Sequence, residues 1–358
     1  MRRLVRVLRE LRCPGRRTRR VELTLPDPVV GEADLFLPQR VNGPLPLWVV
    51  LHGITVPGRR HANLRRFAHA LAATPAAVLV PDLPPWRDLQ LDTACVSAAL
   101  KGAVRWQARA GAALQPKPPA VVGFSVGATQ ALRSAALGDP PLRAVVGFGG
   151  YADIDATLRY LCTGRFRWRG RWIEQMPDPY GRWIFAARFL PLLDDVPKSD
   201  ALPDALLTLA REAGTRGLFA GDPALDPLKA QLRARLPTSA LPLWDLLAPP
   251  TGARPPLDEA EDLAWRLAAA AQRHRPDLDP RPLLARVTAP VVLAHGRADR
   301  LVPFPETLTL AAGLPPGTLR ACTVLGMLAH SGRAGARPLT AVREGSRLLR
   351  LLDRTLPL

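Results

Sequence analysis

The sequence predicts an α/β protein whose central sheet is largely parallel and covered by helices on both faces. Compact apolar runs recur at Leu47–Leu51, Ala77–Val80, Ala120–Phe124 and Ala144–Phe148, each closely followed by Gly, Pro or Asp. Between them lie stretches with helical spacing of apolar residues, such as Leu64, Phe67 and Leu71 within residues 61–72, and a longer one over residues 91–110. Strands buried on both faces read as continuous apolar runs, and their alternation with helices is the mark of a parallel sheet.

The elements follow in chain order. Residues 1–20 carry nine arginines and one glutamate, a basic N-terminal segment in which Leu4, Val7, Leu8 and Leu11 share one helical face. It lacks the apolar stretch of a secretion signal. Docking on the protein's own surface is its expected fate, and peripheral contact with an anionic bilayer is the alternative. Residues 21–25 and 33–37 alternate between Pro- and Gly-containing turns, as an antiparallel strand pair does. The strand rhythm stops near Tyr151 and returns at residues 290–294 and 319–324, with a last helix expected over 339–352. The chain therefore divides into an α/β core of residues 21–150 and 286–358 and a mainly helical insertion of residues 151–285. No internal repeat is apparent.

Composition narrows the function classes. With 358 residues, 47% of them hydrophobic, the chain has ample material for a packed core and is not a disordered protein. No apolar run approaches the roughly 18 residues of a spanning helix, and a cytoplasmic location is expected. Cys13, Cys95, Cys162 and Cys322 are widely separated, without metal-ligand spacing. Neither a disulfide framework nor a zinc site is expected. The net charge of +18 comes largely from scattered arginines and the first 20 residues. It lacks the interleaved aromatics of a nucleic-acid surface, so no nucleic-acid partner is expected.

The chemistry-bearing residues begin with Gly123-Phe124-Ser125-Val126-Gly127. An apolar strand runs into G-x-S-x-G and then into a helix-forming segment. In so tight a turn the flanking residues must be glycine, and the serine hydroxyl is lifted clear of the sheet. Ser125 is the candidate nucleophile. A serine hydroxyl needs a base, and His330, on a Gly-bounded loop after the last strand, is placed for that role. The base needs a carboxylate to orient it. Asp299, in His295-Gly296-Arg297-Ala298-Asp299 at the end of a strand, is the first candidate and Asp153 the competitor. Backbone N–H donors for a developing oxyanion are expected from Val126 and from the loop His52-Gly53-Ile54-Thr55. Ile54 is the first choice there and Thr55 the second, while Pro57 has no N–H. His52 more simply buttresses the loop that it begins.

Together the strand ending in His52-Gly53, the GFSVG turn, the HGRADRLVP segment and the loop histidine resemble the α/β-hydrolase superfamily, in the order that family shows. The resemblance implies an eight-stranded, mostly parallel sheet, with residues 151–285 as a lid inserted after the sixth strand. It also implies hydrolysis through a covalent acyl-enzyme, without metal or organic cofactor. A serine at position 125 sets the chain apart from relatives that use aspartate or cysteine, which leaves esters, thioesters, lactones and peptides. A small-molecule carboxylic ester is the expected substrate, and a non-catalytic binding protein of this fold is the alternative from another class. Phe166, Trp168, Trp172, Tyr180, Trp183 and Phe185 crowd the start of the insertion, interleaved with arginines. Trp172 and Trp183 are candidates for an acyl pocket above Ser125; the competing expectation is that these rings anchor the insertion.

Overall fold

Residues 120–124 and 144–148 spell the same five residues, Ala-Val-Val-Gly-Phe, a short repetition that pattern reading along the chain overlooks. In the computed structural model, which describes residues 2–27, 29–196 and 198–326, these two segments pair in parallel and in register. Eight strands form the main sheet: β1 (Thr18–Thr24), β2 (Glu32–Pro38), β3 (Leu47–Leu51), β4 (Ala77–Pro81), β5 (Ala120–Phe124), β6 (Ala144–Phe148), β9 (Val291–Gly296) and β10 (Leu319–Leu325). A separate hairpin holds β7 (Arg165–Trp168) and β8 (Arg171–Glu174). The order across the sheet is β1-β2-β4-β3-β5-β6-β9-β10. β2 is antiparallel to both of its neighbours, and every other pairing is parallel.

Because successive side chains leave a strand on opposite faces, each strand feeds two cores. Val49, Leu51, Leu79, Val121, Val145, Val291 and Leu293 belong to one, with Cys95, Ala99 and Leu100 of the helix Ala94–Ala110 and Leu132 of Val126–Leu137. Val50, Val78, Val122, Val146 and Val292 belong to the other, with Leu64, Ala68 and Leu71 of the helix Ala62–Ala72. The two glycines of the repeated pentapeptide lie opposite one another. A Cβ at Gly123 would lie 2.2 Å from the Gly127 carbonyl oxygen, and one at Gly147 would lie 2.9 Å from the Leu293 side chain. Glycine at both positions lets the helix Val126–Leu137 settle directly on the sheet.

Between β6 and β9 the chain is mainly helical, with helices Ile154–Thr163, Pro179–Phe189, Ala201–Arg216, Asp226–Arg233, Leu241–Leu247 and Leu257–His274. The β7–β8 hairpin is the departure from the expected absence of strands there. Its residues alternate arginine with aromatic or apolar side chains, and Arg169 and Gly170 at its tip both have positive φ. That is the backbone which a tight two-residue hairpin turn needs.

The N-terminal helix, Arg2–Arg12, packs on Ala62–Ala72. Its phase differs from the expected apolar stripe: Val7 and Glu10 are buried, whereas Leu8 is 39% exposed. The Glu10 carboxylate sets that phase by accepting from the Gly15 N–H and the Thr18 hydroxyl. The expected helix near 339–352 lies outside the described residues. Among the described residues, no helix is long and apolar enough to cross a membrane.

Candidate active site

Ser125 stands between β5 and the helix Val126–Leu137 with φ +56° and ψ −128°. This is sparsely populated backbone for a residue with a Cβ, and it persists only where the surroundings over-determine it. Here they do. The Ser125 N–H donates to the Phe148 carbonyl at 2.8 Å, and its own carbonyl accepts from Ala128 at 2.9 Å. A Cβ at Gly127 would lie 2.7 Å from the His52 carbonyl oxygen, and one at Gly53 would lie 3.1 Å from the Ser125 Cβ. The loop after β3 is thereby pressed against the serine, as the glycine spacing predicts. Val126 is the first residue of the helix, so its N–H has no intrahelical acceptor and shares the positive end of the helix dipole.

Ser125, Val126, Gly53, Ile54, Thr55 and Asp299 all line one cavity of about 510 Å³. The structure thus brings the candidate nucleophile, the candidate oxyanion donors and the candidate acid to a single cleft. Asp299 follows β9 and is 3% exposed. Its Oδ1 accepts from the N–H groups of Leu301 at 2.9 Å and Val302 at 3.0 Å. Asp153 has other partners: it caps the helix Ile154–Thr163 and pairs with Arg281 at 2.6 Å. It does not line the cavity, whereas Asp299 does.

His330 lies outside the described residues. The chain leaves β10 beside the end of β9, where Arg297 donates to the Leu325 carbonyl at 2.8 Å. His52, His61 and His295 also line the cavity. Both ring nitrogens of His295 are engaged: Nδ1 lies 2.6 Å from the Thr307 hydroxyl and Nε2 lies 2.9 Å from the Val302 carbonyl. His52 Nδ1 donates to the Gly53 carbonyl at 2.7 Å, and its ring meets Trp86 edge to face. Burial pushes the His52 pKa down to about 4, so its ring is neutral and its visible work is to hold the loop, as expected.

The two tryptophan candidates are corrected by the structure, since neither lines the cavity. Trp183 is fully buried, and its indole N–H donates to the Leu247 carbonyl at 2.9 Å, which makes it an internal anchor of the insertion. Trp172 sits on β8, 38% exposed, with the guanidinium groups of Arg165 and Arg167 over its ring. The insertion reaches the cavity instead through Tyr180, Gly181, Ile184 and Phe185 of Pro179–Phe189, Thr157 of Ile154–Thr163, and Leu218 and Phe219. Tyr180 and Phe185 belong to the same aromatic-rich stretch, while Thr157 carries no signal in the sequence. Among the described residues, no group of three His, Cys, Asp or Glu side chains could hold a metal ion.

No protein-family model matches the sequence. No curated protein matches it either. Solved structures do. The acylaminoacyl peptidase of Pyrococcus horikoshii is similar with a TM-score of 0.53 and 10% identity over 94% of this chain. This chain spans 42% of the length of that one. The 2-hydroxy-6-oxo-6-phenylhexa-2,4-dienoate hydrolase of a Rhodococcus strain gives a TM-score of 0.48 and 16% identity, over 94% of this chain and 99% of that one. An esterase domain from Rhodothermus marinus gives 0.44 and 15%, over 94% and 98%. At such identities the likeness concerns the fold alone. With its eight-stranded, mostly parallel sheet and the serine turn after β5, the chain has the α/β-hydrolase fold.

Proposed function

We propose that the protein is a serine hydrolase that cleaves carboxylic esters through an acyl-enzyme formed on Ser125. The observation that carries this reading is the strained Ser125 backbone, held at the mouth of a helix and opening into the cavity that Asp299 also lines. In the proposed reaction His330 takes the Ser125 proton as Oγ attacks the ester carbonyl. Asp299 holds the imidazole in the tautomer that can accept it. The N–H groups of Ile54 and Val126 receive the oxyanion, and His330 returns the proton to the departing alcohol. Water then hydrolyses the acyl-enzyme by the same route. Supporting His330 is its position in the sequence shortly after β10, the strand that pairs in parallel with β9, which Asp299 follows. Residues 151–285 act in this reading as the lid over the nucleophile.

Labelling with a fluorophosphonate probe, followed by peptide mapping, tests the assignment. Ser125 is expected to carry the phosphonyl group in the wild type, and Ser125→Ala to abolish labelling with an unchanged circular-dichroism spectrum. Labelling elsewhere, or none in a folded wild-type protein, overturns it and favours a binding role for the cavity.

A further inference from the structure

The helix Arg2–Arg12 packs on Ala62–Ala72 with Val7 and Glu10 buried, at 5% and 1% exposure. Glu10 is fastened there. Its carboxylate accepts from the Gly15 N–H at 2.9 Å and the Thr18 hydroxyl at 2.6 Å, and that hydroxyl lies 2.6 Å from His69 Nδ1. Val5, Leu8, Arg9 and Arg12 follow at i, i+3, i+4 and i+7, one stripe on the opposite side of the helix. All four are exposed, Val5 at 40% and Leu8 at 39%. The contact that holds the helix to the protein therefore leaves a second face turned to solvent.

That face is basic without local compensation. Arg6 lies beside the stripe, and Arg16 and Arg17 follow in the turn after the helix, all exposed. Among the described residues, Arg6, Arg9, Arg12, Arg16 and Arg17 take part in no ion pair. Glu10 is the one acidic residue in positions 1–21, and the helix Ala62–Ala72 has none. Like charges three or four residues apart on a helix repel one another, and an anionic partner relieves that repulsion. The β7–β8 hairpin, also rich in arginine, differs in this respect. The guanidinium groups of Arg165 and Arg167 lie over Trp172, that of Arg169 lies over Trp168, and Glu174 stands 3.7 Å from Arg165.

We propose that the N-terminal helix rests on the surface of an anionic phospholipid bilayer, with Val5 and Leu8 entering the headgroup boundary and the arginines meeting the headgroups. Helices that lie in the interface plane combine these two features, and arginine stems lie along apolar surface while their heads reach the phosphates. A nucleic-acid backbone would use the guanidinium groups and leave both apolar side chains in water. Two such side chains give little hold of their own, so the contact is reversible and depends on lipid charge. It is independent of the serine-hydrolase reading.

Cosedimentation of the full-length protein with phosphatidylcholine vesicles, with and without an equal part of phosphatidylserine, tests the proposal. The wild type is expected to pellet with the mixed vesicles, not with phosphatidylcholine alone, and to be released by high salt. Arg9→Gln and Arg12→Gln are each expected to weaken the partition roughly fivefold, the effect of one cation near an anionic surface. Leu8→Ser is expected to weaken it several-fold with an unchanged salt dependence. Melting temperatures establish that each variant is folded. An environment-sensitive fluorophore on Cys13, exposed just beyond the helix, gives a readout that needs no variant. Its emission should shift to the blue on mixed vesicles. Failure to bind the mixed vesicles, binding that the folded variants retain in full, or a silent Cys13 probe on pelleted protein overturns the inference. So does a preference for duplex DNA over the mixed vesicles that Arg9→Gln weakens and Leu8→Ser does not, which assigns the face to nucleic acid.

Discussion

On the sheet side of the cavity Ser125, Gly53 and Asp299 sit at or just beyond strand ends, where parallel register fixes the backbone to within the reach of a hydrogen bond. On the other side Thr157, Tyr180, Ile184 and Phe185 project from helices of the 151–285 segment. Only the first wall is over-determined: a single added Cβ at Gly123 or Gly127 would collide with backbone. The second wall presents side chains that could be exchanged without moving a strand. The difference teaches that, under the proposed function, bond-breaking and substrate choice would be separable, the former belonging to the sheet and the latter to the insertion.

The largest effect expected on this division is that of Ser125→Ala. Removing a triad member costs on the order of 10⁴–10⁶ in kcat, with little change in melting temperature, and a variant that retains a tenth of the activity would break the comparison at its root. Next is Asp299→Asn, expected to lower kcat by roughly 10⁴ through loss of the productive imidazole tautomer. Asp153→Asn, which removes a helix cap and an ion pair, should instead lower stability by about 1 kcal/mol and kcat by less than threefold. Steady-state kinetics on both variants decide between the two aspartates.

The tryptophans sharpen the other wall. Trp183→Ala removes a fully buried ring and should destabilise the fold by about 3–5 kcal/mol. Trp172→Ala, half-exposed beneath two guanidinium groups, should cost under about 1 kcal/mol. Chemical denaturation measures both. Of the three rings, only Phe185 should flatten the dependence of kcat/KM on acyl chain length when cut to alanine.

A further expected effect concerns pH. Glu306 lies in the first turn of the helix Pro305–Ala312, where its buried carboxylate accepts from the N–H groups of Ala152 and Asp153, which follow β6. Burial raises its pKa from 4.5 to about 7. The folded state thus holds this proton more tightly than the unfolded chain does. Its contribution is fully present below about pH 4.5 and is lost as pH rises to about 7, by up to about 3 kcal/mol. Glu306→Gln should remove that slope, read as the difference between wild-type and variant denaturation midpoints across the same pH range.

How far the sequence discloses these two walls also differs. The strands were legible because parallel strands leave no polar face to hide in, and the segments Leu47–Leu51, Ala120–Phe124 and Ala144–Phe148 match the expected bounds. Ser125 was legible because the glycines on either side of it answer a steric demand that no other residue meets. The roof was not, for a reason of helical phase. Tyr180, Gly181, Ile184 and Phe185 fall at i, i+1, i+4 and i+5, a single stripe of one helix, and Trp183 points to the side of it. Asp178 and Pro179 signal where that helix starts, but which stripe faces Ser125 depends on how the helices pack on the sheet. The aromatic run alone does not distinguish Phe185, which lines the cavity, from Trp183, which anchors the insertion.

The pairing of β6 with β9 has a consequence for the chain as it is made. Val145, Val146 and Phe148 on β6 can meet β5 as soon as both have been synthesised, but their other neighbours, Val291, Val292 and Ala294, come only after the whole intervening segment. At roughly 5–20 residues per second, that leaves an apolar strand edge uncovered for on the order of ten seconds. An unpaired, flat, apolar edge is a template for association with another nascent chain. Yield in a heterologous host should therefore respond more to temperature and chaperone supply than to anything at the surface of the finished fold.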